Sequence, residues 1–577
     1  DKEGRRINDP DYDPRTLYIP STYLNSKEVT PGMRQWWKIK MDNYDTVLFF
    51  KVGKFYEFYH MDAVTGVKEL GLAYMKGKFA HAGFPEISYG RYSDMLVQKG
   101  FKVARVEQTE TPQMMNNRTN KGDKVVRREL CAITSKATKM FRFNEGDIAD
   151  DAAAYLLAVK ESGFDESCGG ESKYGVCFID TSIGKFHLGQ FSDDRQCSRL
   201  RTLIANNVPA QILFERGGIT KKTQSVLHHE MLSTMKEQLS PGAEFWDASK
   251  TIKFLQENEY FHEGGEQKWP ETLKGMSIGD NAGLTPAEDF ELAFSALGAC
   301  IWYLKKCLIE NELLSMKKFE LYQPLDEITV HRKSVSFTEG RNHMMLDGVT
   351  LTNLDVVPNG VDIPLEGTLL EQVDNCCTSF GKRLFKQWLC SPLCNPKSIN
   401  DRLDAVEDLM SRRSLVSEAR EILRNLPDLE RLLRKIHSMG SVSRSKDHPD
   451  SRAIFYNELT YSKKKIGDFL STLEGFQKAR KLCVLFKDQL ETIKSKLLRM
   501  TIGMESSTDA GKFPDFREEL DFFFKYAFDH RKAKEEGVIL PKEGVDTDFD
   551  MAMHDIQTTK LHLKDYLDRQ KKRLGCR

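Results

Sequence analysis

The chain has 577 residues, 40% of them hydrophobic and 29% charged, a composition that fits soluble globular structure and about four domains. Eighty-five Lys and Arg balance 85 Asp and Glu, so net charge points to no polyanionic partner and any nucleic-acid surface must be a local patch. Twelve scattered cysteines fit a reducing compartment better than a disulfide scaffold, and no apolar run approaches the ~20 residues of a membrane span. The chain opens at Asp1 with neither a methionine nor a signal-peptide pattern, and a longer parent protein is expected.

Residues 1–29 are polar and rich in Asp, Pro and Tyr, an extended lead-in. A helix is expected from Thr30-Pro31, with Trp36, Trp37 and Ile39 as core candidates. Residues 47–59, Val-Leu-Phe-Phe-Lys-Val-Gly-Lys-Phe-Tyr-Glu-Phe-Tyr, are β-branched and aromatic and read as one strand. Period 2 then puts Lys51, Gly53, Phe55, Glu57 and Tyr59 on one face and Val52, Lys54, Tyr56 and Phe58 on the other. Phe55 and Glu57 stand about 7 Å apart, an aromatic plane beside a carboxylate. Such a pair suits stacking on a nucleobase and bonding its edge. A core strand with Glu57 at a wet rim has the same pattern.

A helix over Met61–Leu72, a glycine-punctuated stretch, a helix over Tyr92–Gln98 and a strand over Phe101–Gln108 follow. Lys99–Arg128 is rich in Lys and Arg, either a phosphate-binding patch or a solvated loop. From Ala152 to Glu215, strands alternate with helices, and Gly175–Asp180 and Lys185–Phe191 form a hairpin. Asp180 in the first of these strands suits a metal-dependent nuclease only if further carboxylates converge on it, and Asp193 and Asp194 are the nearest in sequence. Thr285-Pro-Ala-Glu288 reads as a capping box opening a helix to about Leu308, after which the texture is helical. Cys376, Cys377, Cys390 and Cys394 lack the paired spacing of a zinc knuckle. Residues 440–450 read as a polar loop. Phe549, Met553, Ile556, Leu563, Leu567 and Leu574 form a heptad stripe, one arm of a helical hairpin with a basic end. No Gly-x-x-x-x-Gly-Lys-[Ser/Thr] phosphate loop occurs.

Several stretches together carry a resemblance. They are Thr30-Pro-Gly-Met-Arg-Gln-Trp-Trp37, Lys51-Val-Gly-Lys-Phe-Tyr-Glu57, Gly83-Phe-Pro-Glu86, Tyr92-Ser-Asp94 and Val103-Ala-Arg-Val-Glu-Gln108. Tyr174–Phe191, Met345-Leu-Asp-Gly-Val-Thr350, Asn353-Leu354, Gly367-Thr-Leu-Leu370 and Gly381-Lys-Arg-Leu384 through Trp388-Leu389 continue it. On these residues the chain resembles the MutS family of DNA mismatch-recognition proteins, in its eukaryotic MutS homologue 6 branch, along nearly its whole length.

The resemblance implies a multidomain α/β and all-α chain. Residues 30–140 would be a mixed α/β mismatch-binding domain and 150–283 a ribonuclease-H-like α/β connector without activity. Residues 284–541 would form a long helical lever, and 542–577 the truncated first arm of a coiled-coil clamp. The family's wedge phenylalanine matches Phe55 and its base-contacting glutamate matches Glu57. Lys54 stands where bacterial members usually carry Asp, which favours the eukaryotic subunit. Lys54, Lys76, Lys99, Arg105, Arg127, Arg128, Lys571 and Lys572 become candidates for the DNA backbone. The implied partners are mismatched double-stranded DNA and MutS homologue 2, with MutL-type proteins and a sliding clamp reached through the parent protein, in the nucleus. ATP and Mg²⁺ belong to the family's ATPase domain, which these residues lack, so the stretch itself is expected to be no enzyme, to hold no cofactor and to meet no membrane. Glu57, a carboxylate next to phosphates, is left either as a base-edge acceptor or as a protonated donor.

Overall fold

The computed structural model describes residues 1–118, 124–139, 154–162, 172–263, 266–280, 283–325, 343–358, 365–441, 446–505 and 511–575. The chain divides into two compact units, residues 1–400 with 433–456, and residues 401–432 with 457–577.

The first unit opens with the lead-in and a helix, Pro31–Asp42. Thr30 caps that helix by accepting from the Met33 N–H, and Pro31 starts it where its missing N–H costs nothing. Trp36 and Trp37 are buried as expected. So is Lys40, whose ammonium donates to Asp62 at 2.7 Å and to the Thr46 carbonyl at 2.6 Å. The lead-in is mostly irregular in backbone, yet Arg15 within it is buried.

The aromatic stretch is not one strand. It folds back on itself as β1 (Thr46–Val52) and β2 (Phe55–Tyr59), joined by the two residues Gly53 and Lys54. Gly53 takes φ 58°, the left-handed value that glycine adopts freely at the first central position of a tight hairpin turn. The turn changes which residues share a face. Lys51 lies opposite Tyr56, and Phe50 lies opposite Glu57. Lys51 therefore faces the core with Tyr56, and does not join Phe55 and Glu57 as a continuous strand requires.

With β3 (His81–Pro85), β4 (Lys102–Gln108) and β5 (Arg128–Thr134) these strands form a five-stranded sheet in the order β3-β2-β1-β4-β5. β1 and β4 are parallel, and the other pairs are antiparallel. The helices His60–Leu70 and Tyr89–Gln98 cover one face, where Phe49, Tyr56, Phe58, Phe84, Tyr89 and Leu96 pack.

A six-stranded sheet follows. It is built from β6 (Tyr155–Ser162), β7 (Ser172–Asp180), β8 (Lys185–Asp193), β9 (Pro209–Glu215), β10 (Met235–Leu239) and β11 (Phe319–Leu321), in the order β10-β9-β6-β7-β8-β11. The expected hairpin is β7–β8, turned at residues 181–184. Two expectations fail here. Thr285 and Pro286 end a short strand, Gly283–Pro286, that pairs with Ser277–Asp280, and they cap no helix. The α-helix starts later, at Glu291, and runs to Lys306. The sheet layer also continues past residue 283. The helix Glu291–Lys306 lies on the six-stranded sheet, and β11 extends the edge of that sheet beyond β8. Helix and strand thus belong to this layer and not to the helical region. At Gly175 a Cβ would lie 2.1 Å from the backbone of Leu292, so the absence of a side chain is what lets the helix seat on β7.

The two sheets meet across buried charge. Arg15 donates to Glu244 at 2.7 Å and to Glu237 at 3.2 Å, while Lys102 on β4 donates to Glu237 at 2.6 Å and Asp45 at 2.9 Å. Burial alone would push the Glu237 carboxyl up. The charges of Lys102, Lys306 and Arg15 outweigh it and hold Glu237 below its ordinary range; Asp45 is held down in the same way against its own burial.

The second unit is helical. Its longest helix, Glu458–Phe486, packs Ile466, Leu470 and Leu473 against Ala527, Phe528 and Ala533. Toward its other end, Phe486 meets Ala419, Leu490, Ile493 and Leu498. Helix Thr547–Leu574 is capped by Asp546 and buries none of its residues. The heptad positions Met553, Ile556, Leu563, Leu567 and Leu574 are all exposed along it. Among the described residues no helix is long and apolar enough to cross a membrane.

Two outcomes are expected from this architecture. Gly175→Ala should cost about 3 kcal/mol, read as a lower urea midpoint, because the helix must move off β7. Glu237→Ala should cost about 3–5 kcal/mol, since it strips buried Lys102 and Arg15 of their shared carboxylate. Glu237 is depressed in the folded state, so its contribution is complete above the ordinary value near 4.5 and is lost as pH falls through the lower folded value. The wild type should lose stability on acidification below about pH 4.5, and the variant should lose less over that window.

Candidate nucleic-acid interface

Strand β2 alternates strictly. Tyr56 and Phe58 are 1% and 0% exposed, whereas Phe55 at its start is 47% exposed. The buried pair anchors the strand in an aromatic core in which Phe49 makes edge contacts with Phe58 and Phe84. Phe55 is therefore a large apolar side chain held out at the end of a rigid hairpin. Lys54 beside it is exposed as well.

Glu57 is half-buried on the same face as Phe55. Its Oε2 accepts from the Tyr59 hydroxyl at 2.5 Å and lies 3.0 Å from His81 Nε2. His81 is opposite Tyr59 in the β2–β3 register, and the two rings stack with centroids 4.9 Å apart. Burial, then the bond to Glu57, push the Tyr59 phenol well up, so it stays a proton donor. The position opposite Glu57 is Gly83, where a Cβ would come within 2.9 Å of the Tyr56 carbonyl and 3.4 Å of Glu57 Cγ. Tyr74, Met75 and Phe79, on the stretch before β3, are further exposed apolar groups. Tyr59 was legible in the sequence, two residues past Glu57 on one strand. His81 was not, because only the β2–β3 register brings it there.

Beneath the hairpin lies a charge cluster. Lys51 is fully buried, with its ammonium 3.1 Å from Glu86 and 3.9 Å from Glu107, and 4.6 Å above the Tyr56 ring. The Tyr56 hydroxyl donates to Glu107. Burial pushes Glu107 up, against the opposing charges of Arg105 and Lys51. A strap from far along the chain closes this cluster. Asp450 accepts from Arg105, the Ile454 N–H donates to the Gln108 carbonyl at 2.9 Å, and the Tyr456 N–H donates to Glu86 at 3.1 Å. Lys54 sits 5.5 Å from the centroid of the Tyr456 ring, which is 56% exposed. The expected polar loop thus ends in a segment that supports the hairpin, a role that no local pattern signals.

The candidate cations separate. Lys54, Lys76, Arg127, Lys571 and Lys572 are exposed. Lys99 is tied to Glu69 at 2.9 Å, and Arg128 is half-buried, donating to the Lys51 carbonyl at 2.6 Å and lying over Phe50. Arg105 holds protein partners: its guanidinium is paired with Asp450, with Glu107 at 3.8 Å, and its side chain is 12% exposed. Lys102 is buried against Glu237, so the basic stretch from Lys99 to Arg128 is no continuous patch.

Comparison with known proteins decides the family. Models of MutS domain I, domain II and domain III match residues 30–142, 154–317 and 349–562. The chain is 54% identical over its whole length to the DNA mismatch repair protein Msh6 of Homo sapiens, covering 43% of that protein. It is 45% identical over its whole length to the probable Msh6 of Drosophila melanogaster, covering 48% of it. The MutS protein of Caldanaerobacter subterraneus is 28% identical over 71% of the chain. The chain belongs to the MutS family. It is Msh6-like, and it spans less than half the length of these Msh6 relatives.

The hairpin bearing Phe55 lies in MutS domain I, and domain II takes in the helix Glu291–Lys306 that the sheet carries. Within domain II the carboxylates weighed for nuclease chemistry do not converge. Asp180 and Asp193 end opposite ends of the β7–β8 hairpin, eight residues apart in register and so about 27 Å. Asp180 accepts from the Ser182 N–H and hydroxyl in the turn, while Asp193 accepts from the N–H groups of Arg199 and Leu200 at a helix start. Cys390 is buried and Cys376, Cys377 and Cys394 are half-buried. Among the described residues no group of three or more His, Cys, Asp or Glu is placed to share a metal ion.

Removing the strap's anchor tests its link to domain I. Asp450→Ala should leave Arg105 buried beside Glu107 alone, at a cost of about 3–5 kcal/mol. Hydrogen exchange should then show lost protection at the Ile454 and Tyr456 amides, which bond domain I, while β1 amides keep theirs.

Proposed function

We propose that this chain binds mismatched double-stranded DNA in post-replicative mismatch repair, as the mismatch-reading subunit of a MutS-type heterodimer with MutS homologue 2. The observation that carries the reading is Phe55, 47% exposed at the end of a hairpin whose neighbouring aromatics are fully buried. An apolar group held out this way suits insertion from the minor-groove side, which unstacks a base step and kinks the duplex. Stacking a base on the ring returns about 1–3 kcal/mol, and bending a site costs about 1–6 kcal/mol. On a well-paired duplex the two nearly cancel. A mispaired base costs less to unstack, so the kinked state is reached there first. Discrimination then rests on deformability, which suits a protein that accepts many mispairs. Glu57 meets the edge of the stacked base. Lys54, Lys76 and Arg127 contact phosphates around the hairpin, Lys99 and Arg128 do so more weakly because they hold protein partners, and Lys571 and Lys572 serve the second unit.

In the same reading, residues 154–317 form a ribonuclease-H-like connector, the helical region is a lever, and Thr547–Leu574 is one arm of a coiled-coil clamp. The family resemblance places ATP and Mg²⁺ in a further domain of the parent protein. No phosphate-loop sequence occurs in this chain. MutL-type proteins and a sliding clamp are partners of the parent protein, in the nucleus.

Phe55→Ala should lower the preference for a mismatched over a matched duplex by about tenfold or more, the scale of one lost base stack. Titration of both duplexes at one fixed salt concentration measures it, since phosphate contacts make either affinity salt-dependent. A variant that keeps the full preference overturns the wedge.

A further inference from the structure

The wedge alone does not explain how Glu57 serves a base. A carboxylate on a flexible side chain, next to phosphates, is repelled and has to be ordered at every binding event. Here it is ordered in advance. Two donors converge on one oxygen, Oε2: the Tyr59 hydroxyl from the same strand and His81 Nε2 from the next. Among the described residues nothing bonds Oε1.

We propose that Tyr59 and His81 are positioning residues, which hold Glu57 by Oε2 and leave Oε1 to meet the edge of a mispaired base. This rests on the mismatch-binding reading given above.

Three features build the arrangement. Period 2 puts Glu57 and Tyr59 on one face of β2, close enough for the hydroxyl to reach the carboxylate. The β2–β3 register sets His81 opposite Tyr59, and their rings stack with an interplanar angle of 14°. The stack fixes the imidazole, and the tautomer with its proton on Nε2 is the one that donates to Glu57. Across from Glu57 stands Gly83, and the space over that glycine is bounded by Met75 Cε, 3.0 Å from where a Cβ would be. Any side chain there would push on the carboxylate from the third side. The Arg128 guanidinium interacts electrostatically with both Tyr59 and Glu57 and adds positive charge near the pair. The result is an oriented acceptor whose charge is partly met by protein donors before DNA arrives.

A double-mutant cycle tests this on the full-length protein in its complex with the partner subunit. The readout is the ratio of affinities for a singly mismatched and a fully matched duplex. Tyr59→Phe removes only a hydroxyl, and His81→Ala removes the second donor together with its stack on Tyr59. Each should lower the ratio about tenfold, the scale of one hydrogen bond to a charged group, with matched-duplex affinity unchanged. In a Glu57→Ala background neither should lower it further, because nothing is left to position. His81→Gln, which offers an amide N–H in place of Nε2, should recover most of the loss. An equal loss with and without Glu57 overturns the proposal, because the two residues would then act on the fold or on DNA directly. An unchanged ratio in both single variants overturns it too. Phe55→Ala separates the two levels. If Phe55→Ala loses the preference while the cycle is additive, the positioning role falls and the wedge stands. If Phe55→Ala keeps it, the mismatch reading falls and takes this inference with it.

Discussion

Gly53 adopts a left-handed backbone at the turn between β1 and β2, and the candidate interface depends on that turn. A two-residue connection fixes register as well as direction. It sets Phe50 opposite Glu57 and Lys51 opposite Tyr56, and so puts Phe55 and Glu57 on one face of the hairpin and Tyr56 and Phe58 on the other, while β1 itself is buried on both faces. Phe55 stands out because Tyr56 and Phe58 cannot leave the core. A slip of one residue would bury Phe55 and Glu57 and expose Tyr56.

The hairpin is stiff because charge is buried under it. Lys51, Glu86, Glu107 and Arg105 lie within the fold, and Asp450 and the backbone of Tyr456 arrive from more than three hundred residues away to complete them. Buried ions are costly unless each finds a partner, so this cluster specifies one arrangement more than it adds stability. The same logic holds at the junction of the two sheets, where Glu237 serves Lys102 and Arg15 together. Domain I is thereby tied to domain II and to the strap by interactions that tolerate little displacement. Under the proposed reading, such a base would let the hairpin hold its shape against a duplex that resists bending.

Much of the fold was readable from local pattern. Trp36 and Trp37 lie in the core of a helix that starts where Thr30-Pro31 places it, the β7–β8 hairpin turns where its glycine allows, and Thr547–Leu574 carries its apolar stripe as one helix. The errors share a cause. At Gly53 the aromatic pattern continued through a turn, because β1 and β2 are equally rich in the residues strands prefer. At Thr285 a capping sequence lost to strand pairing with Ile278, a tertiary preference that outweighs a local one. Arg105 and Lys102 had the composition of a basic patch, and only their acidic partners, supplied by Asp450 and Glu237, turned them inward.

By itself the sequence determined the family, the order of its domains, the strand that holds Phe55 and Glu57 side by side, and the helical character of the later half. The family and domain order rest on the resemblance carried by many motifs; the strand and the helices follow from periodicity and turn chemistry, which act within a few residues. Tertiary structure alone decided that the aromatic stretch is a hairpin, that Lys51 faces inward, that His81 meets Glu57, and that residues 450–456 brace the interface. The hairpin is a pairing of adjacent segments whose strand-like pattern hides the turn between them; the other pairings join segments far apart along the chain, whose separation leaves no local trace. Phe55 could be named from the sequence because the motif around it matches the family's; alternation alone fitted a core strand equally well. The setting of Glu57 could not, because it is made by a neighbouring strand whose register only the folded chain fixes.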